Sequence, residues 1–186
     1  PDGTCRLVAN TSNDLQTSQT YGSFRKHHEW IIFTNEGGFT FDLNTCQLSK
    51  NKELDIKKGL VVPDNKGNYW IHNQTGKVWY VDKDIKEVKS FQLMPDELVS
   101  YIDGERYHVV HDSRDIIWIS TYGNGLFAYD KKTEELQHFK TDVGEVSHIN
   151  SNFLQYVMED RAGGIWVSSE YTGISHLTVL NEGALR

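Results

Sequence analysis

Apolar and polar residues alternate in short runs along this chain, and the runs are broken by Gly, Asn and Asp. His108-Val109-Val110-His111-Asp112 reads as a strand, Ser113-Arg114-Asp115 as a turn, and Ile116-Ile117-Trp118-Ile119-Ser120-Thr121 as a second strand. Tyr122-Gly123-Asn124-Gly125 supplies residues that tolerate positive φ, as a tight reversal requires. Leu126-Phe127-Ala128-Tyr129 is a third strand, Asp130 to Glu134 turns again, and Leu136-Gln137-His138-Phe139 is a fourth. Four short antiparallel strands joined by tight turns make one propeller blade.

The same phrase recurs around Trp30, Trp70, Trp118 and Trp166, at spacings of 40, 48 and 48 residues. Asp64, Asp112 and Asp160 each stand six residues before their Trp. Asp42, Asp82 and Asp130 each stand twelve residues after theirs. Phe91 and Phe139 both follow their Trp by 21 residues. The first copy is degenerate, with Phe24 at the place of the leading Asp. A period of roughly 40–50 residues without helical patterning predicts an all-β fold of β-propeller blades. About four four-stranded blades are expected, at approximately 24–50, 58–92, 105–140 and 152–180, as part of a larger propeller. Residues 1–23, with Thr4 to Asn10 extended, read as a strand of a neighbouring blade. In the last copy no outer strand is evident after Leu177.

The repeat has a mechanical explanation. An Asp at a turn start accepts backbone N–H groups two residues on. A Gly three residues later (Gly67, Gly163) lets the chain reverse. The following Trp fills the wedge between blades. Three aspartates in three separate blades therefore read as turn chemistry rather than as an acid/base or metal set. Histidines crowd at His27-His28 and at His108 and His111. Positions i and i+3 of a strand face opposite ways, and neither pattern matches a zinc signature, so no metal and no cofactor are expected.

Composition narrows the function. Hydrophobic residues make up 38% and aromatic residues 12%, and the net charge is −7 with no basic run. That argues against nucleic acid and against a polybasic membrane patch. No apolar stretch approaches the 18 or so residues a membrane helix needs. The chain begins Pro1-Asp2-Gly3, which reads as a piece of something longer. Cys5 and Cys46 leave two options open, a single bridge or two separate thiols.

The phrase Asp-x-x-Gly-x-Ile-Trp-Val, followed by Gly-Ile/Leu and Tyr-Asp, resembles the two-component regulator propeller repeat. Val157 to Ile174 matches best and Val110 to Asp130 next; the resemblance spans roughly residues 28–178. It implies a periplasmic sensor ectodomain of a hybrid two-component protein anchored in the inner membrane. The kinase, the response regulator and the membrane span would lie in other segments. It further implies an oligosaccharide ligand, control of glycan-use genes, and a homodimer formed through the sensor domain. This segment would not itself be an enzyme; histidine kinase activity would belong to the parent chain.

The expected ligand site is the set of loops between second and third strands: Asn35 and Glu36, Asn73 and Gln74, Tyr122 and Asn124, Glu170 and Tyr171. Amides and carboxylates bond sugar hydroxyls, and Tyr rings stack on pyranose faces. Two rival readings stand beside this one. One is a propeller glycoside hydrolase or lyase, since the Asp-turn-Trp unit is similar to the Asp-box of sialidases, without its Ser and Thr. That enzyme would need convergent carboxylates. The other is a protein-interaction scaffold.

Overall fold

Pleated strands place alternate side chains on opposite faces, and the alternation of this sequence is used in that way throughout. The structure is a computed structural model, and it describes residues 18–73, 75–85, 88–95, 98, 107–142 and 149–179. Fifteen strands and no α-helix occur among the described residues. They form four antiparallel meanders in which sequence neighbours pair. This all-β arrangement is that of β-propeller blades. The expected strand at Thr4 to Asn10, the Cys5 thiol and Gln74 lie outside the described residues.

By its internal contacts the chain divides into two units, Pro1–Val61 and Val62–Arg186. The first holds the first sheet: β1 (Thr20–Lys26), β2 (Glu29–Thr34), β3 (Gly37–Asp42) and β4 (Gln47–Lys50). Its buried side chains include Phe24, Ile31, Phe33 and Phe39, together with Leu54 and Ile56. The departure of this copy from the repeat is visible here. Phe24 is core, and the Arg25 Nε donates to His27 O (3.0 Å) across the β1–β2 turn. Gly38 is required, because a Cβ at that position would stand 1.8 Å from the Leu54 carbonyl oxygen.

The second sheet is β5 (Leu60–Pro63), β6 (Tyr69–His72), β7 (Lys77–Val81) and β8 (Val88–Gln92). The third is β9 (His108–His111), β10 (Ile116–Ser120), β11 (Leu126–Asp130) and β12 (Glu135–Phe139). The fourth is β13 (Leu154–Glu159), β14 (Ile165–Ser169) and β15 (Ile174–Leu177), three strands among the described residues, in the copy where the sequence shows no outer strand after Leu177.

Strand β10 shows how one alternation serves two cores. Ile117 and Ile119 point to the second sheet, where they join Trp70, Val78, Tyr80 and Met94. Trp118, between them in sequence, points the other way, where it joins Leu154, Val157, Ile165 and Val167 of the fourth sheet. Trp70 and Trp118 are thus fully buried at successive inter-sheet junctions. The expected outer-strand aromatics complete each junction: Phe91 lies 6.3 Å from Trp70, and Phe139 lies 6.3 Å from Trp118, centroid to centroid. Trp30 and Trp166 differ, both being partly exposed.

Candidate functional site

The repeated aspartate does more than hold a turn. Asp112 Oδ1 accepts from the backbone N–H groups of Arg114 and Ile116, both at 2.9 Å. Asp64 Oδ1 does the same for Lys66 and Asn68 (both 2.9 Å), and Asp160 Oδ1 for Ala162 (2.8 Å) and Gly164 (2.9 Å). The second oxygen reaches the indole: Trp118 Nε1 donates to Asp112 Oδ2 at 2.9 Å and Trp166 Nε1 to Asp160 Oδ2 at 2.6 Å. The six-residue spacing carries this bond, which the turn-based reading of the aspartates did not anticipate. The indole donor heads the causes that hold the Asp160 carboxyl below its ordinary range. In the second sheet the Asn68 side chain takes Asp64 Oδ2 instead (2.8 Å), and Trp70 Nε1 has no hydrogen-bond partner among the described residues.

The reversal three residues on needs positive φ. Gly67 and Gly163 provide it at φ 85° and 83°, but the third sheet places Asp115 there at φ 77°. Asp115 is fixed by His111 Nε2 at 2.7 Å and Lys66 Nζ at 3.2 Å. Those partners, His111 first, lower its pKa. The same turns tie sheet to sheet. Asn65 exchanges two bonds with the His111 backbone (2.7 and 2.9 Å). The Ser113 N–H donates to Glu159 Oε2 (2.9 Å), and Arg114 donates to Gly163 O (2.7 Å). Each of the three aspartates is engaged chiefly by its own repeat, and Asp64 Oδ2 also lies 3.6 Å from His111 Nδ1 of the third sheet. His108 and His111 have different neighbours: His108 stacks on Tyr156, 3.8 Å between centroids, and burial lowers its pKa. Among the described residues, no group of three His, Cys, Asp or Glu side chains is placed to hold a metal ion. Cys46 is exposed.

The loops between second and third strands are closed by a further repeated device. Thr34 Oγ1 donates to Gly37 O (3.1 Å), Thr121 Oγ1 to Gly125 O (2.8 Å) and Ser169 Oγ to Gly173 O (2.9 Å). Asn73 takes the role in the second sheet, its Oδ1 accepting from the Thr75 N–H (3.1 Å) and hydroxyl (2.6 Å). A hydroxyl or amide three or four residues after each Trp was the signal for it.

Of the expected ligand residues, Asn73 is thereby buried and engaged. Asn35 accepts from the Gln19 N–H (2.7 Å) and donates to Glu36 (2.9 Å), within the first unit. Tyr122 and Glu170 are brought together: the Tyr122 hydroxyl donates to a Glu170 carboxylate oxygen, and the ring meets Phe153 edge-on at 5.2 Å. Asn124 donates to Leu93 O and borders an open hollow with Phe127, His138 and Lys140. Tyr171 projects into solvent, 85% exposed. Beside this rim lie two buried rings, His72 and Tyr107, 4.5 Å apart. His72 Nδ1 and the Tyr107 hydroxyl have no hydrogen-bond partner among the described residues. Burial lowers the His72 pKa to about 4 and raises that of Tyr107.

No protein-family model matches the chain, and no curated protein matches it by sequence. Solved structures do. One is the extracellular domain assigned to a hybrid two component system of B. thetaiotaomicron, with TM-score 0.53 and 16% identity over 85% of this chain. Another is PorZ, a surface component of the type-IX secretion system of Porphyromonas gingivalis, with TM-score 0.50 and 10% identity over 86% of this chain. The chain spans 20% of the first and 26% of the second. At such identities the likeness is one of fold. No helix among the described residues is long and apolar enough to cross a membrane.

Proposed function

We propose that this chain is a ligand-sensing segment of an extracytoplasmic domain, of the kind that feeds a hybrid two-component system. The observation that carries the reading is its fold likeness to the extracellular domain from B. thetaiotaomicron. The resemblance of its repeated phrase to the two-component regulator propeller repeat is in keeping with it. The segment is non-catalytic in this reading, it lies in the periplasm, and it signals by favouring one arrangement of the receptor when ligand is bound. Its ligand is an oligosaccharide, and its output is the expression of glycan-use genes. Support for a sugar comes from Tyr171, whose ring is exposed next in sequence to Glu170, the residue whose carboxylate accepts from the Tyr122 hydroxyl.

The test is a thermal-shift screen of the protein against a panel of glycan oligosaccharides, since a ligand that binds the folded form raises the midpoint. At least one sugar should do so without being cleaved. Tyr171→Ala should weaken that sugar about 10-fold, or ~1.4 kcal/mol. Turnover of any sugar would replace the sensor with an enzyme. An unchanged affinity in Tyr171→Ala would remove this loop from the site.

A further inference from the structure

A single asparagine of the sequence is followed by glycine, and the pair, Asn124-Gly125, lies in the loop between β10 and β11. An asparagine in that setting is chemically labile, because the following residue has no side chain to keep its backbone nitrogen from the amide carbon. The fold cannot relieve this by changing the glycine. Gly125 stands at φ 73°, and a Cβ there would collide with the Phe139 carbonyl oxygen. Nor is the asparagine idle. Its Nδ2 donates to Leu93 O, just beyond the end of β8, and its backbone oxygen accepts from His138 Nε2 (2.7 Å). The first of these bonds fastens the third sheet to the second.

Both groups that would react with each other are held by other partners. The Gly125 N–H donates to Asn152 O (2.9 Å), and the Asn124 amide is engaged at Leu93. Thr121 Oγ1 grips the pair from both flanks: it accepts from the Asn124 N–H (3.2 Å) and donates to Gly125 O (2.8 Å). Thr121 is fully buried, so water does not compete for that hydroxyl.

We propose that Asn124 is a latent deamidation site, shielded by these bonds while the loop is closed, and that its conversion unfastens the third sheet from the second at this rim. In the reaction the Gly125 nitrogen gives up its proton and attacks Asn124 Cγ. The Cγ–Nδ2 bond breaks, Nδ2 takes up a proton and leaves as ammonia, and a cyclic imide remains. Water then opens the ring. Opening at Cγ gives an aspartate, and opening at the backbone carbonyl carbon gives an isoaspartate, whose main chain runs through Cγ. Either product carries a carboxylate in place of the amide. A carboxylate only accepts, so Leu93 O loses its donor and faces a negative charge instead. The site does not depend on the ligand reading, and either can fail alone.

The test is peptide mapping by mass spectrometry of protein held in mildly alkaline buffer, with and without urea. In urea Asn124 should convert ahead of every other asparagine. In the folded protein it should convert at least about 10-fold more slowly, because the reaction waits for the loop to open. Thr121→Val keeps the size of the buried side chain and removes the grip on the pair, so it should restore most of the lost rate while circular dichroism shows an intact fold. Asn124→Asp presents the product at once. It should lower the thermal midpoint and speed amide exchange at Leu93 and Gly125, whereas Asn44→Asp, in an exposed turn of the first sheet, should do neither. Equal rates with and without urea overturn the proposal. So does a folded Thr121→Val protein that converts no faster than wild type, or an Asn124→Asp protein with the wild-type midpoint and exchange.

Discussion

Trp118→Ala should lower the unfolding free energy by about 3–5 kcal/mol, the usual cost of truncating a buried aromatic side chain to Ala. The indole is fully buried between the third and fourth sheets, so its loss leaves a cavity lined by Leu154, Val157, Ile165 and Val167. A milder pair of substitutions isolates the polar part. Trp118→Phe keeps much of the ring and removes one donor to Asp112 Oδ2, which still accepts from Arg114 Nε (3.0 Å) and Nη2 (2.7 Å), so the cost beyond packing should be only about 0.5–1.5 kcal/mol. Trp70→Phe removes an N–H that has no acceptor among the described residues, so only its packing loss should register. Urea denaturation followed by circular dichroism measures all three. Equal losses for the two Phe variants would show that the indole–carboxylate bond contributes nothing.

The second large effect is on pH dependence. Burial depresses the His72 pKa to about 4, against an ordinary 6.5. The unfolded chain then binds a proton at that ring between pH 6.5 and 4 that the folded chain refuses. Stability is complete above pH 6.5 and falls with acid until the folded ring also protonates near 4. At ~1.4 kcal/mol per unit the total reaches on the order of 3 kcal/mol. His108, also depressed by burial, adds to the same slope. The carboxyls of Asp55, Asp115 and Asp160 are held low, and their contributions are lost only at more acid pH. Denaturation midpoints at about pH 7.5 and about pH 5 should differ clearly in the wild type and much less in His72→Leu. A wild type whose stability is flat over that interval would mean that the ring is hydrated and titrates normally.

The sequence announced the sheets because both of their determinants are local. Alternation fixes which face a residue takes, and Asp, Gly and Asn fix where the chain turns. The third copy, read strand by strand, forms four strands within a residue or two of those positions. What was not legible depends on what lies across a junction. Trp118 and Trp166 occupy the same repeat position and make the same bond, yet one is buried and the other is not, because only one of them has a described sheet laid over it. The substitution of Asn68 for Trp70 at the Asp64 oxygen is equally invisible until the side chains are placed. The ligand loops were read only as polar turns. Whether a polar group there is already satisfied, as in Asn73, or outward, as in Tyr171, is decided by the loop's own hydrogen bonds.

The ties described above, Asn65 to His111 and Ser113 and Arg114 to the fourth sheet, each join one sheet to the next. Cooperativity in such an array decays with distance along it. Among the described residues the third sheet is gripped on two sides and the fourth on one, so these sheets should fray from the Trp166 edge inward. Amide protons of β14 and β15 should exchange with deuterium well before those of β10 and β11. An array of sheets that loosens at one margin and stays rigid at the centre can yield to a push at that margin without losing its shape.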